Sequence, residues 1–364
     1  MFRRKILGIV FSFFLTSIFT CNAFAVNTSA ASAILMEQGS GRVLYEQQAD
    51  EERLIASITK IMTTVVALEN GDLKASYTVT QQDLAEGSSM YLTVGESLTL
   101  EELLYGVMLV SGNDAALAVA HCVSGDLSEF VDLMNDTARK IGMTHTSFAN
   151  PNGLDAEGHF SSARDMALLT AYAMNNELFC RIASTASITI GERYLKNHNK
   201  LLNQYEGCIG VKTGFTKAAG RTLVSAAERE GMRLICVTLN DGNDWTDHTN
   251  LLDYGFFNYR RETVVNGGQV LTNTLVRDGT RQTIALMTER SLSYPLTGDE
   301  HLSVTIQVPV SVAAPIVPGQ VIGSVCAVLD GEEVASVDLV AAEPVARIEL
   351  SVEQGILGRL FRKR

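Results

Sequence analysis

Three short polar boxes stand in order along the chain: Ser57-Ile58-Thr59-Lys60, Ser111-Gly112-Asn113 and Lys212-Thr213-Gly214. Their residue types could together perform acyl transfer. A serine hydroxyl is a weak nucleophile until a neighbouring base takes its proton, and a lysine is such a base only where burial or a second cation disfavours its ammonium form. Ser57 and Lys60 are three apart, the spacing that brings two side chains to one helix face. A serine in that place also fits a plain N-cap, and Ser-x-x-Lys alone does not separate the two readings. The other boxes add parts. Asn113 offers an amide for Lys60 and for a substrate, and Ser111 offers a second hydroxyl for relaying a proton. Lys212 and Thr213 offer a charge and a hydroxyl suited to a carboxylate, and Gly214 lets an extended ligand pair along a strand. Taken singly, Ser111 and Asn113 each fit a helix cap better than a chemical role.

These boxes need elements to hold them. Apolar residues at 58, 61, 62, 65, 66 and 68 follow the helical period, and Asn70-Gly71 supplies the stop, so a buried amphipathic helix is expected to begin at Ser57. Ahead of it, Ala33–Met36 and Arg42–Tyr45 flank a glycine-rich turn and read as two strands. Leu100–Leu109 is helical and ends at Val110–Asp114. The next helix starts at Ala115, with Asn113 or Asp114 as its cap. Leu127–Ile141, closed by Gly142, and Ser162–Asn175 are further helices. Four runs then read as successive strands of one antiparallel sheet: Tyr194–Leu202, Gly207–Gly214, Thr222–Ala227 and Arg233–Leu239. A helix over Thr246–Tyr259 follows. From about Glu262 the pattern changes: Leu302–Val308 alternates at period two, Asp330-Gly331 is a strong hairpin turn, and no helix is expected over 263–348. The predicted fold class is α+β, an antiparallel sheet flanked by helices with an all-α subdomain, followed by a small all-β, sandwich-like domain.

The ends carry signals of their own. Met1-Phe2-Arg3-Arg4-Lys5, the apolar Ile6–Thr20 and Ala23-Phe24-Ala25 describe a secretory signal peptide over 1–25, the alternative being a retained anchor. Thr20 before Cys21 fits a lipoprotein processing site poorly. The expected division is therefore 1–25 signal, 26–262 catalytic domain, 263–348 β domain and 349–364 tail. In the tail Ile356, Leu357, Leu360 and Phe361 share one helical face opposite Arg359, Arg362, Lys363 and Arg364, a pattern that fits an anionic membrane surface or, alternatively, a frayed basic terminus. The whole chain carries a formal charge of −12, which disfavours nucleic acid, so none is expected as a partner. Five cysteines beyond residue 25 are widely spaced in apolar settings and read as free thiols. The six histidines show no ligand spacing, so no metal and no cofactor are expected.

All three boxes in this order form the signature shared by penicillin-binding proteins and class A β-lactamases. The sequence resembles the low-molecular-mass penicillin-binding proteins that act as serine D-alanyl-D-alanine carboxypeptidases, and the resemblance covers essentially the whole chain. It is carried also by Gly87-Ser88-Ser89-Met90-Tyr91-Leu92, Ser111-Gly112-Asn113-Asp114-Ala115-Ala116, Asn150-Pro151-Asn152-Gly153-Leu154, His159-Phe160-Ser161-Ser162-Ala163-Arg164-Asp165 and Lys212-Thr213-Gly214-Phe215-Thr216. Asn243-Asp244-Trp245-x-Asp247-His248 looks like a subgroup found in spore-forming bacteria. The resemblance implies a transpeptidase-like fold, action on peptidoglycan stem peptides at the outer face of the cytoplasmic membrane or in the wall, and covalent inhibition by β-lactams. It implies Ser57 as nucleophile, Lys60 as base, Ser111 and Asn113 as catalytic partners, and Lys212, Thr213, Gly214 and Phe215 as substrate-binding residues. The N–H groups of Ser57 and Phe215 would form the oxyanion hole. His248 could help hold the carboxylate or could simply pack. A β-lactamase is disfavoured, because no Glu-x-x-x-Asn lies suitably between Asn113 and Lys212 and Gly112 stands where that class has Asp. A D,D-endopeptidase of cross-links and a catalytically silent wall-binding module remain as alternatives.

Overall fold

The structure, a computed structural model, describes residues 26–349. The expected signal peptide and all but the first residue of the expected tail lie outside the described residues. Five antiparallel strands form the central sheet, in the order Val43–Gln47, Ser32–Glu37, Met232–Leu239, Gly220–Arg229, Cys208–Thr216. The inner strands Ser32–Glu37 and Met232–Leu239 are covered on both faces. They therefore read as nearly unbroken apolar runs rather than alternating ones, and all six residues of the first are buried.

On one face lie the helices α1 (Lys60–Asn70), α2 (Leu100–Leu109), α3 (Asn113–Ser124), α4 (Leu127–Ile141), α5 (Ala163–Ala173) and α6 (Glu177–Ser184), which share a core with Ile34, Met36, Val224, Ile235 and Val237. The other face carries α7 (Leu201–Gln204) and α8 (Asp244–Asn258), packed on Leu35, Leu223, Leu234 and Cys236. Helix α1 is the axis of the larger core, with every residue from Lys60 to Ala67 buried. Its polar residues are satisfied internally: Thr63 donates to the Pro151 carbonyl at 2.5 Å and Thr64 to that of Lys60 at 2.8 Å. Several helix starts are written locally. Thr99 and Glu102 form a capping box for α2, and Asp126 and Ser162 cap α4 and α5.

Two expectations about this region are corrected. Tyr194–Leu202 is not a strand of the central sheet. Arg193–Lys196 pairs instead with Ser187–Ile190 in a separate hairpin, and α7 is a single helical turn. The amides between them explain this. Asn197 donates to the carbonyls of Ala183 and Thr185, and Asn199 accepts from the N–H of Leu201, so side chains take up backbone groups that a ladder would need. Helix α3 begins at Asn113 itself, after Gly112 and with no side-chain cap. Asn113 and Asp114 are engaged in the site described below.

After α8 the described chain contains strands, turns and loops and no helix to residue 349. Arg260–Val265 pairs with Leu292–Leu296, and a six-stranded sheet runs in the order Ser303–Gln307, Val321–Leu329, Glu332–Ala341, Thr283–Thr288, Val270–Arg277, Ser311–Ala313. Val265 and Leu292 of the small sheet share a core with Ile284, Leu286, Val325, Val337 and Leu339 of the large one, which makes the arrangement sandwich-like. The Asp330-Gly331 hairpin forms as expected, with φ of 51° and 89°. Arg42 joins the two regions: its guanidinium donates to both Glu300 oxygens at 2.9 and 2.5 Å and lies 5.2 Å from the ring centroids of Tyr259 and Tyr294. All five cysteines among the described residues are free. None of the described helices is long and apolar enough to cross a membrane.

Candidate active site

The three boxes converge. Ser57 lies in a 3-10 turn, Ala56–Thr59, that feeds directly into α1. One turn on, Lys60 is completely buried, and its Nζ lies 3.2 Å from Ser57 Oγ, 2.7 Å from Asn113 Oδ1 and 2.5 Å from the Asn152 carbonyl. Burial pushes the Lys60 amine well below the usual lysine range, and the Lys212 ammonium pushes it further, against a smaller opposing pull from Asp114. Lys212 is itself 1% exposed, donates to the Thr213 carbonyl at 2.7 Å, and is lowered by burial to about 7. The sequence therefore places two cations where water cannot solvate them. Asn113 does not cap its helix: its amide donates to the Glu86 carbonyl at 2.6 Å while its oxygen receives Lys60.

The edge strand Cys208–Thr216 brings Thr213, Gly214 and Phe215 beside the Ser57 turn. A Cβ on Gly214 would stand 2.9 Å from the Ser57 nitrogen and 2.4 Å from Thr222 Oγ1, so only glycine allows this approach. Gly153 plays the same part on the other side, at φ +82°, where a Cβ would lie 2.1 Å from the Ala56 carbonyl oxygen. A cleft of about 310 Å³ opens over the site. Ser57, Ser111, Thr213, Gly214 and Phe215 line it, with Phe215 64% exposed at its mouth. Ser111 sits at φ +59°, and its buried hydroxyl has no hydrogen-bond partner among the described residues. A polar group held in a strained backbone and left unpaired marks a place where a ligand is expected to supply the missing bond.

His248 is not part of this site. It is fully buried between α8 and the sheet, with Ser225 Oγ 2.6 Å from Nδ1 and Thr238 Oγ1 3.0 Å from Nε2, and burial lowers its pKa to about 3. Of its two sequence readings, packing is the one realised. A different histidine supports the turn that holds Ser57. His159 Nδ1 accepts from the Ala149 N–H at 3.0 Å, which leaves Nε2–H to donate to Thr59 Oγ1 at 2.8 Å, and Thr59 in turn donates to the Ala56 carbonyl at 2.8 Å. Thr222 holds the Ile55 carbonyl at 3.0 Å. Together these hydroxyls fix the turn in which Ala56 adopts φ +50°.

Several site residues escape a reading by boxes. Asp114, beside Asn113 in sequence, accepts from the Met90 and Leu92 N–H groups at 2.9 and 3.0 Å and from the Ser89 hydroxyl at 2.6 Å. It thereby pins the loop that brings Ser88 to the cleft. At the far end lie His198, Lys200, Arg221, Asp244 and Trp245, with Arg221 donating to Asp244 at 2.7 and 2.9 Å. The Asn150–Leu154 and Asn243–Trp245 segments are visible as motifs. Asn152, however, acts through its main-chain oxygen, for which a residue type gives no signal. Among the described residues no group of three or more His, Cys, Asp or Glu is placed to hold a metal ion.

Comparison with known proteins agrees with this geometry. A family profile described as D-alanyl-D-alanine carboxypeptidase matches residues 20–243, and one described as the penicillin-binding protein 5 C-terminal domain matches residues 259–347. The chain is 34% identical over 335 residues to D-alanyl-D-alanine carboxypeptidase DacF of Bacillus subtilis, covering 87% of this chain and 86% of that one. It is 33% identical over 359 residues to DacC of Escherichia coli, covering 93% and 88%. Penicillin-binding protein 5 from Haemophilus influenzae superposes with a TM-score of 0.77 at 29% identity, over 88% of this chain and 98% of that one. With a profile spanning more than half of its length and relatives above 30% identity along most of it, the chain belongs to the D-alanyl-D-alanine carboxypeptidase family.

Proposed function

We propose that this serine carboxypeptidase removes the terminal D-alanine of peptidoglycan pentapeptide stems through an acyl-enzyme on Ser57, with Lys60 as the base. One observation carries the reading: the Ser57 hydroxyl lies 3.2 Å from an amine that is fully buried beside a second lysine. In its neutral form Lys60 has two N–H bonds, which go to Asn113 Oδ1 and the Asn152 carbonyl, and a lone pair left for the Ser57 proton. Ser57 attacks the penultimate carbonyl, and the developing oxyanion faces the N–H groups of Ser57 and Phe215. Ser111 passes the proton from Lys60 to the departing D-alanine amine. The free carboxylate of the substrate rests on Lys212 and Thr213. Water then attacks the acyl carbonyl as Lys60 takes its proton, and that proton passes to Ser57 Oγ as the ester bond breaks, which frees the shortened stem. β-Lactams acylate the same serine.

The reading extends to place. The signal peptide over 1–25 directs export and is removed after Ala25, and the basic tail rests on the membrane surface, which puts the enzyme outside the cytoplasmic membrane. A peptidase domain over 26–262 and a β domain over 263–348 divide the rest. The test is mass spectrometry of purified wall peptides incubated with the soluble protein, wild type and Ser57→Ala. The expected result is loss of one alanine from pentapeptides by the wild type alone. Cleavage restricted to cross-linked dimers would replace this reading with an endopeptidase. Absence of any covalent penicillin adduct on the denatured wild type would leave only a binding module.

A further inference from the structure

The chain holds 41 carboxylates against 29 lysines and arginines, and nine of the fifteen arginines among the described residues have a carboxylate oxygen within 4.0 Å. Three that lie together do not. Arg260, Arg261 and Arg290 are exposed, and none has a carboxylate oxygen within 4.0 Å among the described residues. Two of them are nevertheless held in place. Arg260 Nη1 donates to the Phe256 carbonyl at 2.7 Å, and Arg261 Nη1 donates to that of Gly231 at 3.2 Å. A carbonyl orients a guanidinium without neutralising it, so the charge is aimed but remains available.

Arg261 lines two neighbouring clefts where the central sheet meets the all-strand region. The smaller, about 210 Å³, sets Arg261 and Arg290 among the hydroxyl-bearing Ser40, Ser291, Ser293 and Ser336. The larger, about 400 Å³, adds Arg229 and Arg260 over the apolar floor of Phe256 and Tyr259, with Glu230 as its acidic member. Arg229 is fixed 4.6 and 4.8 Å from the ring centroids of Tyr205 and Phe256, and its nearest carboxylate, Asp253, is 3.8 Å away. Glu37 is the acidic residue beside the smaller cleft: its Oε2 accepts from the Ser40 N–H and hydroxyl at 2.7 and 2.6 Å, while its Oε1, like Arg261 Nη2, lies next to Gly39. Neither cleft shares a residue with the one over Ser57.

We propose that this seam binds an extended anionic chain bearing phosphodiester groups, with one phosphate between Arg261 and Arg290 and the next against Arg260 and Arg229. Planar guanidinium forks match the oxygens of a phosphate two at a time, and serine hydroxyls complete its coordination. Two concave sites joined by a shared arginine suit a flexible polymer. A flat bilayer surface would touch their rims but not enter them. Because the protein as a whole repels polyanions, binding depends on this local charge and weakens steeply with salt. A polymer held there tethers the enzyme beside anionic material while the Ser57 cleft stays open.

Calorimetric titration of the full chain with poly(glycerol phosphate) at low ionic strength tests this. The wild type is expected to bind, and Arg261→Gln/Arg290→Gln is expected to lose about tenfold or more in affinity, the loss of two charge-assisted forks. Arg181→Gln/Arg277→Gln, which removes the same charge from exposed positions elsewhere, is expected to change affinity less than about twofold. Penicillin labelling of Ser57 serves as the folding check and stays equal in all three. An equal loss in the distant variant would reduce the effect to net charge and overturn the site. So would equally tight binding of polyglutamate, or binding of phosphatidylglycerol vesicles but not of the polymer.

Discussion

Residues 26–259 and residues 260–349 are both built on antiparallel strands, yet they treat polar side chains in opposite ways. The first region buries Lys60, Lys212, Asp114, His159, Asp165 and His248, whereas among the described residues of the second the buried polar side chains are Thr274 and Thr288. Taking a charge out of water is unfavourable, so a region that does it repeatedly is arranged for something other than stability. Desolvation there changes chemistry: it weakens the hold on the proton of an amine that ordinarily stays protonated, which is the condition for the proposed base. The second region keeps its charges in solvent, and its edge strand Ser303–Gln307 is exposed at every position.

The strongest way to break this contrast is Lys60→Met. The rate of acylation by penicillin, followed by mass spectrometry, is expected to fall about 10³-fold or more. The thermal midpoint is expected to hold or rise, because an apolar side chain of similar length replaces a desolvated amine. Unchanged acylation would remove Lys60 from the mechanism. The pH profile sharpens the same point. In the proposed mechanism the substrate carboxylate rests on a charged Lys212, so kcat/KM is expected to fall as pH rises through about 7, and Lys212→Arg to move that limb upward. The sign for folding is opposite. The Lys212 amine stands near 7 in the folded chain against an ordinary 10.5, so the unfolded chain binds more protons between those values and this group makes stability increase with pH there.

Asp114→Ala comes next. It leaves the N–H groups of Met90, Leu92 and Ala115 and the Ser89 hydroxyl without their buried acceptor, and is expected to cost about 3 kcal/mol in denaturant unfolding, with slower acylation as the Ser88 loop loosens. A smaller effect is expected at the join. Glu300, held at about 2 chiefly by its bond to Arg42, contributes about 1 kcal/mol that is present above its ordinary 4.5 and lost as pH falls towards 2. Denaturation curves of the wild type and Glu300→Gln should therefore differ at pH 6 and converge near 2. The smallest change is expected for Ile306→Ser on the exposed strand, within about 1 kcal/mol, against more than about 3 kcal/mol for Ile34→Ser in the buried one. Equal losses at the two positions would mean that the edge strand is covered in solution.

Much of this was legible in the chain itself. Helix α1 and its stop, α2, α4 with its closing Gly142, the three strands that follow residue 207 and the Asp330-Gly331 hairpin all rest on interactions between residues close in sequence, which a periodicity or a turn type records. The misreadings fall where side chains leave their own element. Asn197 and Asn199 divert the backbone at the expected Tyr194–Leu202 strand, and Asn113 and Asp114 abandon the helix end they resemble caps for.

The residue types alone determined which chemistry was available, a hydroxyl, two amines and an amide in an order that many acyl-transfer proteins share, and the elements that would carry them. Only the tertiary structure decided that the amines are desolvated, that His159 rather than His248 supports the Ser57 turn, and that a main-chain oxygen of Asn152 completes the shell of Lys60. The physical reason is range. Helical and strand periodicity is set by neighbours a few positions away, whereas the charge state of a lysine is set by everything within several ångströms of it, and here that surrounding is drawn from residues 57 to 212.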